Sequence, residues 1–598
     1  MDSIKEESNK KSSILDKTID FIFSKDKRKW LVLFLIIGII LRLIVANNVP
    51  PLADEMVHGS HAINIISSGV INEQNECPVW FYLTDLVYRF LGVNGISARF
   101  LSIFFGTLTI LLVYLISKRL FNEKIALISS FLLAISAFHI RYALMEQDEA
   151  MMFFVLLAFY YFVKDLEEKN KITFPVFVFM AIAFLIKPIA VTFIPAIVIY
   201  FFYRLYAEKD KTKRKEIFNK NLKPIIIGSI TFLLFMSPIL VYNYLLYKEK
   251  GITDIQFSRF FNISQQTFEG LAGHDQSYSI SYAIRDGPKF LWDSFTPLDP
   301  IITLLGIIGI FLILFSKKPR HLKFLISFHL ITFIFLLGTS LLQTHFVIFL
   351  PLLCICSGYL IAKLSEYSKS HSKEIIITLL IIILLVDLWI LWPFLSNKSG
   401  IFKVRDFAMN NIGKDDLVIA DARIYRGSIV FMLHDKHYLE SSYFSQLLES
   451  MKNMPGETFP VTLYFIECVQ DDCGWGTIVN QPEFNQSVEQ MVDFFKNNSE
   501  KVKSIKSKGE DMNIYKTTIP VKSQVFQAID STHQWFYYPV MWKGERYDSY
   551  KLDTFFKQTL QNIAYVILWI AIIIALLSPL LIIYELVKKT NNLNSSPF

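Results

Sequence analysis

The sequence predicts a polytopic α-helical membrane protein with a small α/β domain near its C-terminus. Apolar residues make up 53% of the 598 residues, and charged residues only 19%, below the share of about 25% that is usual in soluble proteins. The apolar residues are gathered in blocks, as expected of helices that cross a bilayer. The same composition excludes a disordered chain, a collagen-like chain and a disulfide scaffold.

The apolar blocks predict about twelve transmembrane helices, some of them short for the roughly 20 residues that a span needs. The block at 173–204 is compatible with a tight hairpin or with one long broken helix. The predicted segments are 30–47, 101–118, 125–141, 150–164, 173–186, 188–204, 223–245, 299–316, 322–341, 346–364, 374–396 and 562–587.

Charge on the connecting loops predicts the sidedness. If all twelve segments span, seven Lys/Arg-rich stretches fall on one side, which accounts for the net charge of +7. The positive-inside rule then places both termini, 1–29 and 588–598, in the cytoplasm. The transmembrane region is 30–396, and its outer loops are 48–100, 142–149, 246–298 and 343–345.

Residues 397–561 are long enough for an extracytoplasmic domain, which the segment 562–587 then returns to the cytoplasm. Apolar runs predict strands at 417–421, 461–467 and 512–517, and an amphipathic helix at 486–507. Cys468 and Cys473 are close enough in sequence to pair if this domain is extracytoplasmic. Cys354 and Cys356 lie in an apolar run and are predicted to be inert core residues.

The first outer loop carries two adjacent carboxylates, Asp54 and Glu55, just after a predicted span. A carboxylate at the membrane edge with apolar neighbours is suited to act as a general base. The alternative is a helix N-terminus that favours acidic residues. His58 and His61 follow at a spacing of three, so a metal-binding pair is conceivable, although a surface helix is the better interpretation.

The second outer turn places Glu146, Asp148 and Glu149 within four residues, between two predicted spans. Clustered carboxylates repel one another unless a cation neutralises them. Their oxygens suit a divalent cation such as Mg²⁺ or Mn²⁺, and Zn²⁺ less well. The alternative is a solvated turn in which Arg141 pairs with one of the acids.

Three basic residues from separate segments map to the same face as both acidic clusters. Arg99 begins a predicted span, Lys187 precedes the helix-breaking Pro188, and His345 lies in an outer turn. Their convergence predicts an anion-binding site at the membrane surface, and a lipid phosphate is an anion that would fit it. Taken singly, each is compatible with ordinary snorkelling at a helix end.

With these residues placed, the chain resembles the polytopic GT-C glycosyltransferases, and more narrowly glycosyltransferase family 39. That family includes the protein O-mannosyltransferases and the aminoarabinose transferases of lipid A. The resemblance runs through 30–365, and Asp54-Glu55 stands at the Asp-Glu motif of the first outer loop. Further motifs of the family match in order, at 77–82, 90–92, 98–101, 140–154 with Asp148 at the acidic position, 185–188 and 344–351.

Three positions depart from the family pattern. Cys77 replaces the first residue of a Pro-Pro pair, Glu146 stands where a basic residue is frequent, and His345 replaces an arginine. The departures concern recognition of the phosphate more than the base. The outer domain 397–561 is not covered by these motifs.

The resemblance implies an inverting transferase that uses a polyprenyl- or dolichyl-phosphate monosaccharide on the extracytoplasmic face. It implies Asp54 as the base, with Glu55 beside it. Lys187, Arg99 and His345 would bind the donor phosphate. Glu146 and Asp148 are candidates to hold a divalent ion that bridges to it, and whether a metal is needed is left open by the resemblance. The acceptor is a protein, a lipid or a glycan, and no nucleic acid is expected. A transporter or flippase for a lipid-linked substrate is the main alternative, and a receptor or scaffold a third.

Overall fold

The computed structural model has helices throughout the membrane region and one β-sheet near the C-terminus. The residues that it describes are 28–51, 53–68, 71, 78–144, 147–251, 253–254, 257, 279–315, 320–339, 341–367, 370–424, 426–440, 456–470, 473, 482–507, 510–523 and 550–587. Cys77 and Glu146 therefore lie outside the described residues, as do the side chains of Asp54 and His61.

Most of the described elements are helices. In chain order they are α1 Arg28–Asn48, α2 Ala53–Ala62, α3 Pro78–Leu91, α4 Gly95–Leu120, α5 Glu123–Ile135, α6 Ala137–Tyr142, α7 Asp148–Glu168, α8 Phe174–Ile186, α9 Ile194–Ala207, α10 Lys211–Phe235, α11 Ser237–Lys250, α12 Ile280–Arg285, α13 Gly287–Phe295, α14 Pro300–Phe315, α15 Arg320–Thr339, α16 Gln343–Phe346, α17 Leu350–Tyr367, α18 Ser372–Ser396, α19 Gly400–Asn411, α20 Arg426–Met432, α21 Pro482–Asn498 and α22 Phe555–Val587. Short 3-10 helices occupy Ile66–Ser68, Pro188–Phe193 and Val347–Phe349.

The protein is a multi-pass membrane protein, and each of the twelve predicted segments falls on helical structure. By length and apolar composition, six helical stretches of the described chain qualify as membrane spans: Lys29–Asn48, Gly95–Leu120, Pro188–Ala207, Gln343–Tyr367, Ser372–Asn411 and Phe555–Leu586. A seventh arises if α10 and α11, which meet at 46°, form one bent span. The total of twelve spans stays a prediction, because shorter apolar helices such as α8 and α14 fall below that length.

The predicted span 125–141 is broken into α5 and α6 at Ser136. The Ser136 hydroxyl accepts a hydrogen bond from the backbone N–H of His139 and donates one to Asp299. Asp299 also accepts from the N–H groups of Ala137 and Phe138. A carboxylate distant in sequence thus provides acceptors for the buried N–H groups at the start of α6, which have no partner within the helix. An apolar run in the sequence cannot reveal this contact.

The first predicted outer loop is largely helical. It holds α2 and α3, and α4 begins at Gly95 instead of residue 101. Asn94 caps α4, because its side chain accepts from the N–H groups of Ile96 and Ser97, and the Ser97 hydroxyl in turn accepts from the Asn94 N–H.

A five-stranded sheet follows the membrane region, with β1 Leu417–Ala420, β2 His437–Glu440, β3 Thr458–Cys468, β4 Glu500–Ile505 and β5 Met512–Lys522. The spatial order is β2-β1-β3-β5-β4. Strand β1 pairs in parallel with β2 and β3, whereas β3 and β5 are antiparallel, from Thr458 opposite Lys522 to Cys468 opposite Met512. The strands predicted at 417–421, 461–467 and 512–517 are all present.

The helix predicted over 486–507 is wrong in its second half. Helix α21 ends at Asn498, and residues 500–505 form β4, paired with β5. The free edge of β5 supplies hydrogen-bond partners that a helix pattern in a short amphipathic stretch cannot foresee. Helix α21 packs on one face of the sheet, where Phe495 stacks on Phe465 at 4.3 Å between ring centroids.

The five strands and helices α19, α20 and α21 together form what we call the sheet unit. It contacts the first helices of the membrane region directly. The Ser428 hydroxyl donates to the backbone carbonyl of Pro51 at 3.2 Å, and the ring of Phe431 packs against Tyr88 of α3. These contacts place the sheet unit over α2, which carries Asp54 and Glu55. Cys468 and Cys473 are joined in a disulfide with a Cα–Cα distance of 6.0 Å, and Cys354 and Cys356 are buried as free thiols.

Candidate functional site

Asp148, Lys187 and His345 come together at one end of the helices, although nearly 200 residues separate the first from the last. The Lys187 ammonium donates to Oδ2 of Asp148 at 2.6 Å, and His345 Nδ1 lies 3.1 Å from the same oxygen. Lys187 Nζ and His345 Nδ1 are 3.2 Å apart. The side chains of Lys187 and His345 are 17% and 16% exposed, whereas Asp148 is 2% exposed. The two basic groups therefore face outward from a buried carboxylate.

Local structure explains why each of these residues points to the site. Asp148 begins α7, where an acidic residue is favoured by the helix dipole. Lys187 ends α8 in an extended conformation, because Pro188 cannot continue the helix, and a 3-10 helix follows. His345 lies in the short helix α16, just before α17 enters the membrane region.

Glu55 is committed to an ion pair. Its two carboxylate oxygens accept from Nε and Nη2 of Arg99, the second at 3.0 Å, and both side chains are buried. Bidentate pairs of this kind fix geometry as well as charge. Glu55 therefore anchors α2 to α4 instead of facing a substrate.

The predicted role of Arg99 in phosphate binding disagrees with its surroundings. Beyond Glu55, the guanidinium donates to the carbonyls of Ala46 at 2.5 Å, Val49 at 2.9 Å and Pro50 at 3.3 Å. These contacts use all five of its N–H donors, and the residue is fully buried. Arg99 holds the turn between α1 and α2 in place, and no donor is left for a phosphate.

Asp54 lies on α2, one residue before the anchored Glu55, so the position of its backbone is fixed. Helix α2 is tied to the second acidic turn as well, since Nε2 of Gln147 lies 3.1 Å from Nδ1 of His58. His58 therefore contacts the turn that carries Asp148. His61 and Glu146 lie outside the described side chains, and their predicted roles stay predictions.

Glu149 turns away from Asp148 into a buried network that the sequence argument did not find. Its carboxylate accepts from the Thr109 hydroxyl at 2.6 Å and lies 3.0 Å from Nε2 of His139. Nδ1 of His139 is 2.6 Å from Nη2 of Arg42, which can only donate. The imidazole is thus arranged as a neutral bridge between a cation and an anion. Arg42 lies inside an apolar span, and a basic residue there was the available signal.

A divalent ion on Asp148 fits poorly with these contacts. The Lys187 ammonium already contacts Oδ2 of this carboxylate, and a hard cation needs several oxygen ligands. Within the described residues, no group of three or more His, Cys, Asp or Glu side chains is placed to hold a metal ion. The metal on Glu146 and Asp148 stays a prediction, since Glu146 is not described.

Comparison with known proteins confirms the resemblance to GT-C glycosyltransferases. Residues 75–242 match the family model described as dolichyl-phosphate-mannose-protein mannosyltransferase. This stretch includes Arg99, Asp148 and Lys187. An uncharacterized protein of Aquifex aeolicus (strain VF5) is 27% identical over 208 residues, which is 33% of this chain and 40% of that protein. The chain thus spans about two fifths of the length of this relative.

The fold is similar to that of ArnT from Cupriavidus metallidurans. The apo structure matches with a TM-score of 0.52 and 12% identity, and covers 82% of this chain and 98% of ArnT. A structure of the same protein bound to undecaprenyl phosphate matches with a TM-score of 0.50 and 11% identity, over the same shares of the two chains. At such low identity the likeness concerns the fold, and the site must be argued from its own residues.

Proposed function

We propose that this protein transfers a monosaccharide from a polyprenyl- or dolichyl-phosphate donor to an acceptor on the extracytoplasmic face of the membrane. The main observation behind the proposal is that the side chains of Asp148, Lys187 and His345 contact one another. They lie beside α2, the helix that carries Asp54 and Glu55. Support comes from the fold of ArnT, one structure of which holds undecaprenyl phosphate, and from the mannosyltransferase family model. The disulfide of Cys468 and Cys473 supports an outer location for the sheet unit.

The transfer is a single displacement with inversion. The acceptor oxygen attacks the anomeric carbon while the bond from that carbon to the phosphate oxygen breaks. The acceptor proton goes to a carboxylate base, and the lipid phosphate leaves with the bonding electron pair. Because Glu55 is engaged by Arg99, its neighbour Asp54 is the proposed base.

Lys187 and His345 are the proposed ligands of the leaving phosphate, on which negative charge grows in the transition state. Both are partly exposed, and both are held by Asp148 before any donor arrives. Positioning cations in advance lowers the barrier, because little reorganisation is needed during the reaction. Asp148 is then a positioning residue, and Arg99 acts indirectly by fixing α2.

The sheet unit is proposed to help select the acceptor, because Ser428 and Phe431 pack against the segment around α2. An acceptor that approaches Asp54 from outside the membrane must pass this unit. Removing 400–558 should then change acceptor use more than donor cleavage, and equal loss of both would contradict this role.

The test is donor turnover by the purified protein with a radiolabelled polyprenyl-phosphate sugar and crude membrane acceptors. Asp54→Asn is nearly isosteric but cannot take the proton, so we expect turnover to fall about 10²- to 10⁴-fold. Asp85→Asn is the matched control, since Asp85 is a buried carboxylate of α3 that accepts from the Ile66 N–H. Full activity of Asp54→Asn would overturn the assignment of the base, and a parallel reaction with EDTA tests the metal.

A transporter or flippase for a lipid-linked substrate remains the second candidate. It is favoured by ionisable residues buried within spans, such as Arg42 and Asp387, since such residues are typical of transport pathways. Movement of an intact labelled donor across proteoliposomes, without release of polyprenyl phosphate, would support the transporter and contradict the transferase.

A further inference from the structure

A single carboxylate, Asp387, lies deep within the apolar helix α18 (Ser372–Ser396). It is nine residues from the outer end of that helix, or about 14 Å at a rise of 1.5 Å per residue. Asp387 is 1% exposed and shares a face of α18 with the buried Ile383 and Leu391. The carboxylate therefore points into the protein and away from lipid.

Neither carboxylate oxygen of Asp387 has a hydrogen-bond partner in the described part of the chain. Moving an ion of this size out of water costs several kcal/mol even after the protein relaxes. Ionisable side chains inside spans are rare and usually serve a function. A bare anion at this position is therefore not a stable state of the protein.

A second carboxylate, Asp299, is held at the junction of α5 and α6, and both of these helices pack against α18. Asp299 is fully buried and accepts from the Ser136 hydroxyl at 2.5 Å and from the N–H groups of Ala137 and Phe138. These donors stabilise the charge on Asp299 but not that on Asp387. Two like charges in a medium of low dielectric repel strongly.

The described helices packed against α18 carry Arg42 and Arg141, which already have other partners, and lysines only near the helix ends. Arg42 of α1 is balanced by Glu149 through His139 of α6. Arg141 of α6 packs over the rings of Tyr142 and Phe394. Cys354 of α17 offers only a neutral thiol.

Within the described residues, no Lys, Arg or His nitrogen forms an ion pair with Asp299 or Asp387. The ion pairs of the membrane region involve other carboxylates, such as Lys187 with Asp148 and Lys164 with Glu585. The pair of acids thus lacks one positive charge.

We propose that Asp299 and Asp387 form a binding site for one monovalent cation, either a proton or an alkali ion, inside the membrane region. One positive charge neutralises Asp387, while the donors around Ser136 already stabilise Asp299. A divalent ion would supply more positive charge than the single unpartnered carboxylate requires. Because Asp299 also caps α6, which leads to the turn of Asp148, an occupied site supports the geometry of the proposed active site.

The experiment measures the unfolding equilibrium of the full chain in detergent micelles at constant ionic strength. Na⁺ or K⁺ replaces choline in one series, and pH is varied from 6 to 9 in the other. A bound alkali ion should lower the unfolding constant about tenfold for each tenfold excess over its dissociation constant. A bound proton should instead raise the unfolding constant with pH, by at most about tenfold per pH unit, because the folded state then holds more protons than the unfolded chain.

Asp387→Asn is the test variant, since the amide keeps the shape of the side chain but carries no charge. Either dependence should disappear in Asp387→Asn and persist in the control Asp85→Asn. Wild-type stability that is flat in both series would overturn the proposal without reference to any variant. The same dependence in wild type and Asp387→Asn would overturn it as well. Both readouts are independent of glycosyl transfer, so failure here leaves the proposed function untouched.

Discussion

Asp148 and Glu149 are consecutive residues with opposite surroundings. Asp148 meets Lys187 and His345 at a rim where both basic groups are partly exposed. Glu149 meets Thr109, His139 and, through the imidazole, Arg42 in a fully buried network. One step of about 100° around the start of α7 separates a partly exposed ion-pair cluster from a buried contact that holds helices together. A cluster of acids in a sequence is therefore not a single cluster in space.

The largest expected effect is on stability, in the buried network of Glu149. Glu149→Ala leaves Arg42 buried without its counter-charge, which should lower the free energy of unfolding by about 3–5 kcal/mol. Thr109→Val removes one hydrogen bond to the same carboxylate and should cost about 1 kcal/mol. Unfolding of both variants in detergent gives the stability, and donor turnover per folded molecule should stay near that of wild type. A stable but inactive Glu149→Ala would show that Glu149 takes part in the reaction and does not only hold helices together.

The next largest effect is on donor turnover, in the partly exposed cluster of Asp148, Lys187 and His345. Lys187→Met keeps the length of the side chain but removes the cation proposed to stabilise the leaving phosphate. Donor turnover should fall about 10²- to 10³-fold, with a smaller loss of stability than in Glu149→Ala because His345 still contacts Asp148. Radiolabelled donor consumption measures the first and thermal unfolding the second. Unchanged turnover would show that Lys187 only pairs with Asp148.

A substitution of Arg99 distinguishes a structural role in holding α2 from a direct role in phosphate binding. Arg99→Lys cannot reproduce the bidentate contact to Glu55 together with the three carbonyl contacts. We expect kcat to fall about 10- to 100-fold through misplacement of α2, with an unchanged KM for the donor. A rise in KM without loss of kcat would instead favour the phosphate-binding role predicted from the sequence.

The smallest effect extends the comparison to the sheet unit, where a carboxylate also has three partners. Burial raises the pKa of Glu467, but hydrogen bonds from Lys496, Asn513 and Tyr515 outweigh this and lower it below its usual range. The ionised form therefore stabilises the fold above pH about 4.3. This contribution is lost as the pH falls through the lowered value.

Glu467→Gln should remove less than about 1 kcal/mol of stability at pH 7, because the Lys496 partner is half exposed. The difference from wild type should vanish in strong acid, which thermal unfolding from pH 7 to 3 would follow. Glu489→Gln, at an exposed position of α21, is the control. A constant difference at all pH values would mean that Glu467 stabilises by packing and not by charge.

The apolar blocks were enough to predict where the helices lie, because burial in lipid or protein requires long apolar runs. They could not predict the break at Ser136, which depends on a carboxylate 163 residues away. The second half of the predicted helix 486–507 failed for a related reason, since β4 exists only because β5 offers it an edge. Non-local partners decide such points, and a local pattern carries no record of them.

The same limit applies to the site. The meeting of Lys187 and His345 with Asp148 could be predicted because each lies at a span boundary on one predicted side. The commitment of Arg99 to Glu55 and to three carbonyls could not be predicted, since an arginine at a helix start suits a phosphate equally well. Asp387 was visible as a lone acid in an apolar run, yet only its unpartnered oxygens give it weight.

Helix α22 supplies one partner of an ion pair that can form only late in the synthesis of the chain. Glu585 near its end pairs with Lys164 at 2.5 Å and accepts from the Tyr160 hydroxyl at 3.1 Å, across 421 residues in the case of Lys164. At about 5–20 residues per second, a ribosome needs roughly 20 to 80 seconds to supply that partner. Until then, Lys164 at the end of α7 must be accommodated by neighbours already made, such as the ring of Tyr161. Lys164, in the first half of the membrane region, therefore lacks the counter-charge of Glu585 until the last helix has been synthesised.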